Sequence, residues 1–208
     1  MNRDIQQMTQ WVNELRSPLG NLMGQLELRQ EEMDSGCFNQ LWEDCQELRE
    51  QLEQLLRLIR IGTEQALPYW EHVCVREHIE QALLRTQNIA RKRGVFLQNE
   101  YMQEDCILWS DGAILQEIIE QLLKYALRYC ENGSILTLGY TARGGWASIW
   151  AEGTGREYRF LSMKNLLNVS SIGMEICRCL ADRIGAELFW CDAPRGGSRI
   201  GVRLPTIN

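Results

Sequence analysis

The chain has 208 residues, enough for one large or two small domains. Its hydrophobic content of 45% and charged content of 24% are those of a folded globular protein. A net charge of -6 argues against non-specific nucleic-acid binding through a basic surface, and no apolar run is long enough to span a bilayer.

The first ten residues, MNRDIQQMTQ, are too polar for an export signal, so the chain is expected to be cytoplasmic. From there the apolar positions Ile5, Met8, Val12, Leu15, Leu19, Leu22 and Leu26 alternate in steps of three and four. Phe38, Leu41, Cys45, Leu48, Leu52, Leu55 and Ile59 repeat the alternation. Each series is the seam of a helix in a bundle or coiled coil. Asp34–Ser35–Gly36 between them is a turn signal, and the pair reads as an antiparallel helical hairpin. Trp11, Met23, Leu28, Trp42, Leu56 and Leu58 widen the stripe beyond what two helices can bury. A homodimer through residues 1–66, closing a four-helix bundle, is therefore expected. A monomer whose hairpin packs on its own second half is the competing arrangement.

Leu67–Pro68 marks a boundary, because proline cannot continue a helix interior and restricts the residue before it. Residues 67–208 change to mixed patterning. EHVCV is a strand candidate. REHIEQALLRTQNIARKRG is an amphipathic helix stopped by Gly94. VFLQNEY and CILWS are strands. DGAILQEIIEQLLKYALRYC is a long helix with Asp111 as N-cap. GSILTLGYTARGGWASIWAEG is a hairpin with a Gly-Gly turn. SIGMEICRCLADRIG is a helix ending at Gly185, and AELFWCDAPRGGSRIGVRLP is a last hairpin. The whole is an α+β chain: a helical hairpin followed by a two-layer α/β sandwich with mixed pairing.

The eight cysteines form no CxxC pair, and Cys177 and Cys179, two apart, have no histidine near them, which argues against zinc and for reduced thiols, several packed as small core residues. The two histidines, His72 and His78, flank a strand candidate and read as surface or core residues.

Several stretches, in order, resemble the catalytic core of bacterial two-component sensor histidine kinases. NELRSPLG is similar to the phospho-acceptor box, QLLKYALRY to the Asn-rich helix of the nucleotide site and AEGTG to the first glycine box. SIGMEICRCLADRIGAELFW is similar to the second glycine box with its helix, and GGSRIGVRLP to the closing strand. The resemblance implies a dimerisation and phosphotransfer hairpin joined to an ATP-binding domain of the family's type.

It also locates what is missing. Asn13 stands at the acceptor histidine, and a carboxamide nitrogen, its lone pair delocalised, is not a nucleophile. Glu14, Arg16, Ser17, Pro18 and Gly20 retain the box, with Pro18 expected to bend the helix, and form a candidate docking surface. Tyr125 stands at the Mg²⁺-binding asparagine, where a hard oxygen ligand is needed. Arg128 and Tyr129 match positions that approach phosphate and adenine. Ala151 replaces the aspartate that accepts the adenine amino proton. Gly153 and Gly155 are read as turn residues, and Ser171 and Gly173 stand for the paired glycines of the second box. REYRFLSMKNLLNVS, in the place of the mobile lid, reads as an ordered element.

The expectation is a catalytically inactive, histidine kinase-like signalling module with no cofactor. Its expected partners are a second copy of itself and a response-regulator receiver domain or partner kinase. The alternative is an active kinase or ATPase that uses ATP and Mg²⁺ in an unorthodox site, with Glu152 in place of Ala151. Two further readings are phosphotransfer on His72 or His78, and a small-molecule pocket walled by Tyr125, Trp146 and Trp150.

Overall fold

The computed structural model describes residues 2–29, 35–63, 67–101, 105–154, 172–193 and 197–206. The chain divides into two compact units, Met1–Gln65 and Ala66–Asn208.

The first unit is a helical hairpin of α1 (Asn2–Leu28) and α2 (Ser35–Thr63). One end of its core joins Met23 and Leu26 to Phe38 and Cys45, and the other joins Val12 to Leu52 and Leu56, so the helices run antiparallel. Of the expected turn, Asp34 lies outside the described residues, while Ser35 and Gly36 already belong to the first turn of α2. Serine and glycine are as much at home at a helix start as in a turn. The side chains of Ile5, Met8 and Trp11 also lie outside the described residues.

The heptad seam divides into two sets. Val12, Leu26, Phe38, Cys45 and Leu52 are buried between the two helices, with Leu19 and Ile59 packed beside them. Leu15, Leu22, Leu41 and Leu48 are 38–57% exposed. Within one hairpin, one position of each heptad finds a partner and the alternate one is largely exposed, except Leu55, which packs beside Leu52 and Leu56.

The second unit contains β1 (Glu71–Cys74), α3 (Val75–Lys92), β2 (Phe96–Glu100), β3 (Ile107–Ser110), α4 (Gly112–Arg128), β4 (Ile135–Arg143), β5 (Trp146–Thr154), α5 (Ile172–Arg183), β6 (Glu187–Asp192) and β7 (Ser198–Pro205). Strands β1 and β3 form a small antiparallel sheet; the main sheet has the order β2-β4-β5-β7-β6. Only β2–β4 is parallel; the other three pairs are antiparallel, so the pairing is mixed. Val75, which sequence patterning assigns to a strand, opens α3 instead.

Leu136, Leu138 and Tyr140 of β4, Ala147, Ile149 and Ala151 of β5, and Ile200, Val202 and Leu204 of β7 are all nearly inaccessible and lie in register. They form one face of the sheet, and the helices cover it. Helix α4 runs through the middle of that layer and is apolar on most sides: Leu115, Ile118, Ile119, Leu122, Leu123, Ala126 and Leu127 are buried. Helix α3 buries a single stripe, Val75, Ile79, Ala82, Thr86 and Ala90.

Helices α3 and α5 end alike. Val95 N–H donates to the Ala90 carbonyl at 2.9 Å, and Ala186 N–H to the Ala181 carbonyl at 2.9 Å, across Gly94 and Gly185 at φ +66° and +65°. These are Schellman closures, and the left-handed residue in each is the glycine expected there. The Asp111 cap does more than its sequence position implies. One carboxylate oxygen accepts from Ile114 N–H at 2.9 Å, and the other accepts from Tyr69 N–H at 2.8 Å. A single buried carboxylate therefore starts α4 and pins the first residues of the unit to it.

Asp111→Ala removes both bonds and is expected to destabilise the second unit by about 1–3 kcal/mol in urea unfolding, whereas Asp111→Asn recovers about half of that loss.

Candidate functional site

Asn13, Glu14, Arg16, Ser17, Pro18 and Gly20 are all exposed on α1. Asn13, Arg16, Ser17 and Gly20 follow the i, i+3, i+4, i+7 spacing of one helix face, with Glu14 and Pro18 adjacent. Val12, immediately before them, is 4% exposed and packs on Leu52 and Leu56, which turns Asn13 outward. The helix runs through Pro18. Arg16 approaches Glu53 of α2 at 3.8 Å, an exposed pair of little energetic weight. These residues thus form an exposed, mostly polar strip along α1 that begins at the Asn13 carboxamide.

In the second unit, Tyr125, Arg128 and Tyr129 occupy the last turn of α4 and its cap. Tyr125 is 4% exposed, with its ring centroid 5.0 Å from that of Tyr129. Burial, reinforced by the neighbouring Tyr129 phenol, pushes its phenol well above the usual tyrosine range. A neutral, buried phenol is a poor ligand for Mg²⁺, which requires hard oxygens. Arg128 is exposed. Gly173 is the second residue of α5, so one position of the second glycine box does lie in the first turn of a helix. Glu175 sits in the same turn and pairs with Arg178 at 3.3 Å. A carboxylate there opposes phosphate at the positive end of the helix dipole. Gly155, Ser171 and the lid-like segment 156–170 lie outside the described residues.

Strand β5 carries Ala151 and Glu152. Ala151 is fully buried opposite Leu138 and Ile200, on the face the helices cover. Glu152 points to the other face, as strand alternation requires. It is 4% exposed and accepts from Arg199 Nε in a tight ion pair across β5 and β7. The Arg199 guanidinium lies 3.8 Å above the ring of Trp150, on the same face. Two glycines make room for this assembly. A side chain at Gly139 would meet the Trp150 ring at 2.7 Å, and one at Gly201 would meet the Phe189 ring at 2.6 Å.

Two sequence-based assignments are corrected by this arrangement. Gly153 is a strand residue paired with Leu136 and Ser198, not a turn residue, and its φ is not positive. Nor do Tyr125, Trp146 and Trp150 wall one pocket. Trp146 and Trp150 share a face of β5, with Ser148 between them, by the strand's period of two. Helix α4, which carries Tyr125, lies on the opposite face of the sheet.

The histidines are placed apart from all of this. His72 meets the Trp109 ring edge-on at 4.9 Å, and His78 Nδ1 donates to the Cys74 carbonyl at 3.1 Å. All eight cysteines are free; Cys45, Cys106 and Cys177 are buried, and Cys37 and Cys191 are exposed. Arg199, Gly139, Gly201 and Phe189 were not singled out by sequence reasoning. Glycines opposite aromatic residues in neighbouring strands are the signal that could have found them, once the register was known.

No family model matches the chain. Among curated proteins it is similar to the sensor protein kinase GraS of Staphylococcus aureus (strain JH1), at 21% identity over 223 residues, covering 100% of this chain and 62% of that protein. The chain thus spans less than two thirds of the length of this relative. Among solved structures it resembles full-length ShkA in complex with AMPPNP, with a TM-score of 0.72 and 15% identity over 97% of this chain and 46% of that one. It also resembles the Acinetobacter baumannii histidine kinase AdeS, with a TM-score of 0.66 and 13% identity over 94% of this chain and 98% of that one.

Arg199→Ala leaves the Glu152 carboxylate buried without its partner and uncovers Trp150. The expected result is a loss of about 2–4 kcal/mol in denaturant unfolding, with a change in tryptophan emission.

Proposed function

Proceeding from the fold of a sensor histidine kinase catalytic core, we propose that this chain is a catalytically silent, histidine kinase-like signalling module. It acts in a bacterial two-component-type pathway through protein contacts rather than phosphoryl transfer. The observation that carries this reading is the coincidence of Asn13, Tyr125 and Ala151 at three positions with three separate duties. The nucleophile, the metal ligand and the adenine acceptor are replaced on two different units, so no single engineered or compensated change accounts for them. A lost hydrogen-bond partner alone weakens binding by about 1–3 kcal/mol, and phosphoryl transfer depends chiefly on positioning and metal electrostatics.

The competing reading, an active enzyme with Glu152 as substitute acceptor, meets a simple obstacle. Glu152 is held by Arg199 on the face of the sheet away from Ala151 and α4.

The contacts follow from the hairpin. Leu15, Leu22, Leu41 and Leu48 form the apolar surface through which a second copy completes a four-helix bundle. The strip from Asn13 to Gly20 then faces outward as the docking surface for a receiver domain or a partner kinase.

Titration calorimetry with ATP and ADP, with and without Mg²⁺, is expected to give no binding heat up to millimolar nucleotide. Micromolar, Mg²⁺-dependent binding overturns the reading. Asn13→His restores the imidazole only, and no acid-labile phosphoryl label is expected on it after incubation with ATP and Mg²⁺. The double variant Leu22→Lys, Leu48→Lys is expected to convert a dimer to a monomer in light scattering while its circular dichroism remains helical.

A further inference from the structure

The exposed leucines of the hairpin, Leu15, Leu22, Leu41 and Leu48, open on one side. The helices run antiparallel and pack through the other heptad position, so the alternate position of each helix turns the same way. Asp44 lies three residues after Leu41 and four before Leu48, in the same row along α2. Glu14 and Glu47, one residue before Leu15 and Leu48, edge the same side. All three carboxylates are exposed. Asp44 accepts from the Gln40 carboxamide at 3.0 Å and Glu47 from that of Gln51 at 3.4 Å, neutral groups that leave the negative charge in place.

The basic side chains described in the hairpin are disposed differently. Arg16 and Arg49, one residue after Leu15 and Leu48, turn to the opposite side: Arg16 approaches Glu53 at 3.8 Å, and Arg49 donates to Gln46. Gln46 and Glu53 are seven residues apart and so share a face of α2 away from the leucines. Arg57 and Arg60 lie beyond Leu48 on the outer faces of α2, and Arg29 follows the last residue of α1. The leucine face is therefore apolar with an acidic edge.

Charges beside the apolar seam of a helix bundle set the choice of partner, and like charges brought together are a means of rejecting the wrong one. A second copy covers the leucines but sets one row of carboxylates against another. A hairpin of the same apolar spacing, with lysine or arginine beside its seam, covers them equally and pairs the charges.

We propose that the leucine face selects a different chain over a second copy of its own: a helical hairpin whose apolar seam is edged by lysine or arginine. This rests on the reading above that Leu15, Leu22, Leu41 and Leu48 pair with a helical hairpin, and it adds which hairpin they pair with best. Self-association is then the weaker state, and charge chooses the partner.

A charge-reversed copy of the full chain, Glu14→Lys, Asp44→Lys and Glu47→Lys, serves as the basic-edged probe. Native mass spectrometry of nitrogen-15-labelled parent mixed with this variant reads the share of mixed dimers. In ammonium acetate of about 0.02 M the mixed dimer is expected to exceed its random-pairing share, and in about 1 M, where charges are screened within about 3 Å, to fall back to it. A neutralised variant, Glu14→Gln, Asp44→Asn and Glu47→Gln, isolates the repulsion. Its self-association is expected to be about five-fold tighter than the parent's at the lower salt and equal to it at the higher. Adding Leu22→Gln and Leu48→Gln to the reversed copy is expected to remove the mixed dimers. Random pairing at the lower salt, with dimers lost in the leucine variants, overturns the selection by charge and leaves the leucine face standing. A neutralised variant that dimerises no better than the parent overturns the selection as well. Dimers that survive the leucine substitutions, or no dimers in any mixture, overturn both the selection and the reading it rests on.

Discussion

The second unit is arranged about β5, whose side chains alternate between two environments that cannot be exchanged. On one side Ile149 and Ala151 pack in the fully buried layer under the helices. On the other, Trp150 and Glu152 are enclosed by Arg199, which stacks on the first and pairs with the second. Sliding the strand by one residue would put a carboxylate against α4 and an alanine beneath a guanidinium. The Glu152–Arg199 pair therefore specifies register as well as contributing to stability, and the glycines at 139 and 201 belong to the same device, since only they leave room for the rings beside them.

The same alternation bears on position 151. A polar residue at 151 would be buried in an apolar layer and would need a ligand or a partner there to offset its desolvation. Alanine needs neither. Tyr125 fills space at the end of α4 and is held neutral by burial and by Tyr129. The residues at these two positions are thus of kinds the core accommodates by itself.

In the hairpin the constraint is numerical. A helix with two apolar positions per heptad can bury only part of them against one neighbour. Val12, Leu26, Phe38, Cys45 and Leu52 use that neighbour, and Leu15, Leu22, Leu41 and Leu48 do not. The polar strip beginning at Asn13 lies outside both sets, which leaves it available to a further partner.

Much of this is legible in the residues alone. Local signals suffice where the cause is local: heptad steps, the Asp111 cap, the glycine stops at 94 and 185, and the Gly144–Gly145 turn are each decided by a few neighbouring residues, and each is found where the sequence puts it. Period two also implies that Glu152 points away from Ala151. What it cannot supply is the partner. Arg199 lies 47 residues away, and only the pairing of β5 with β7 brings it across Glu152 and over Trp150. The second bond of Asp111, to Tyr69, spans 42 residues and is equally invisible locally. Gly153 misleads because glycine suits a turn and a crowded strand alike, and the choice rests with its neighbours. Sequence by itself determined the elements, their order and the kinds of residue at 13, 125 and 151; tertiary structure alone decided which face each side chain meets, because that depends on register between strands far apart in the chain.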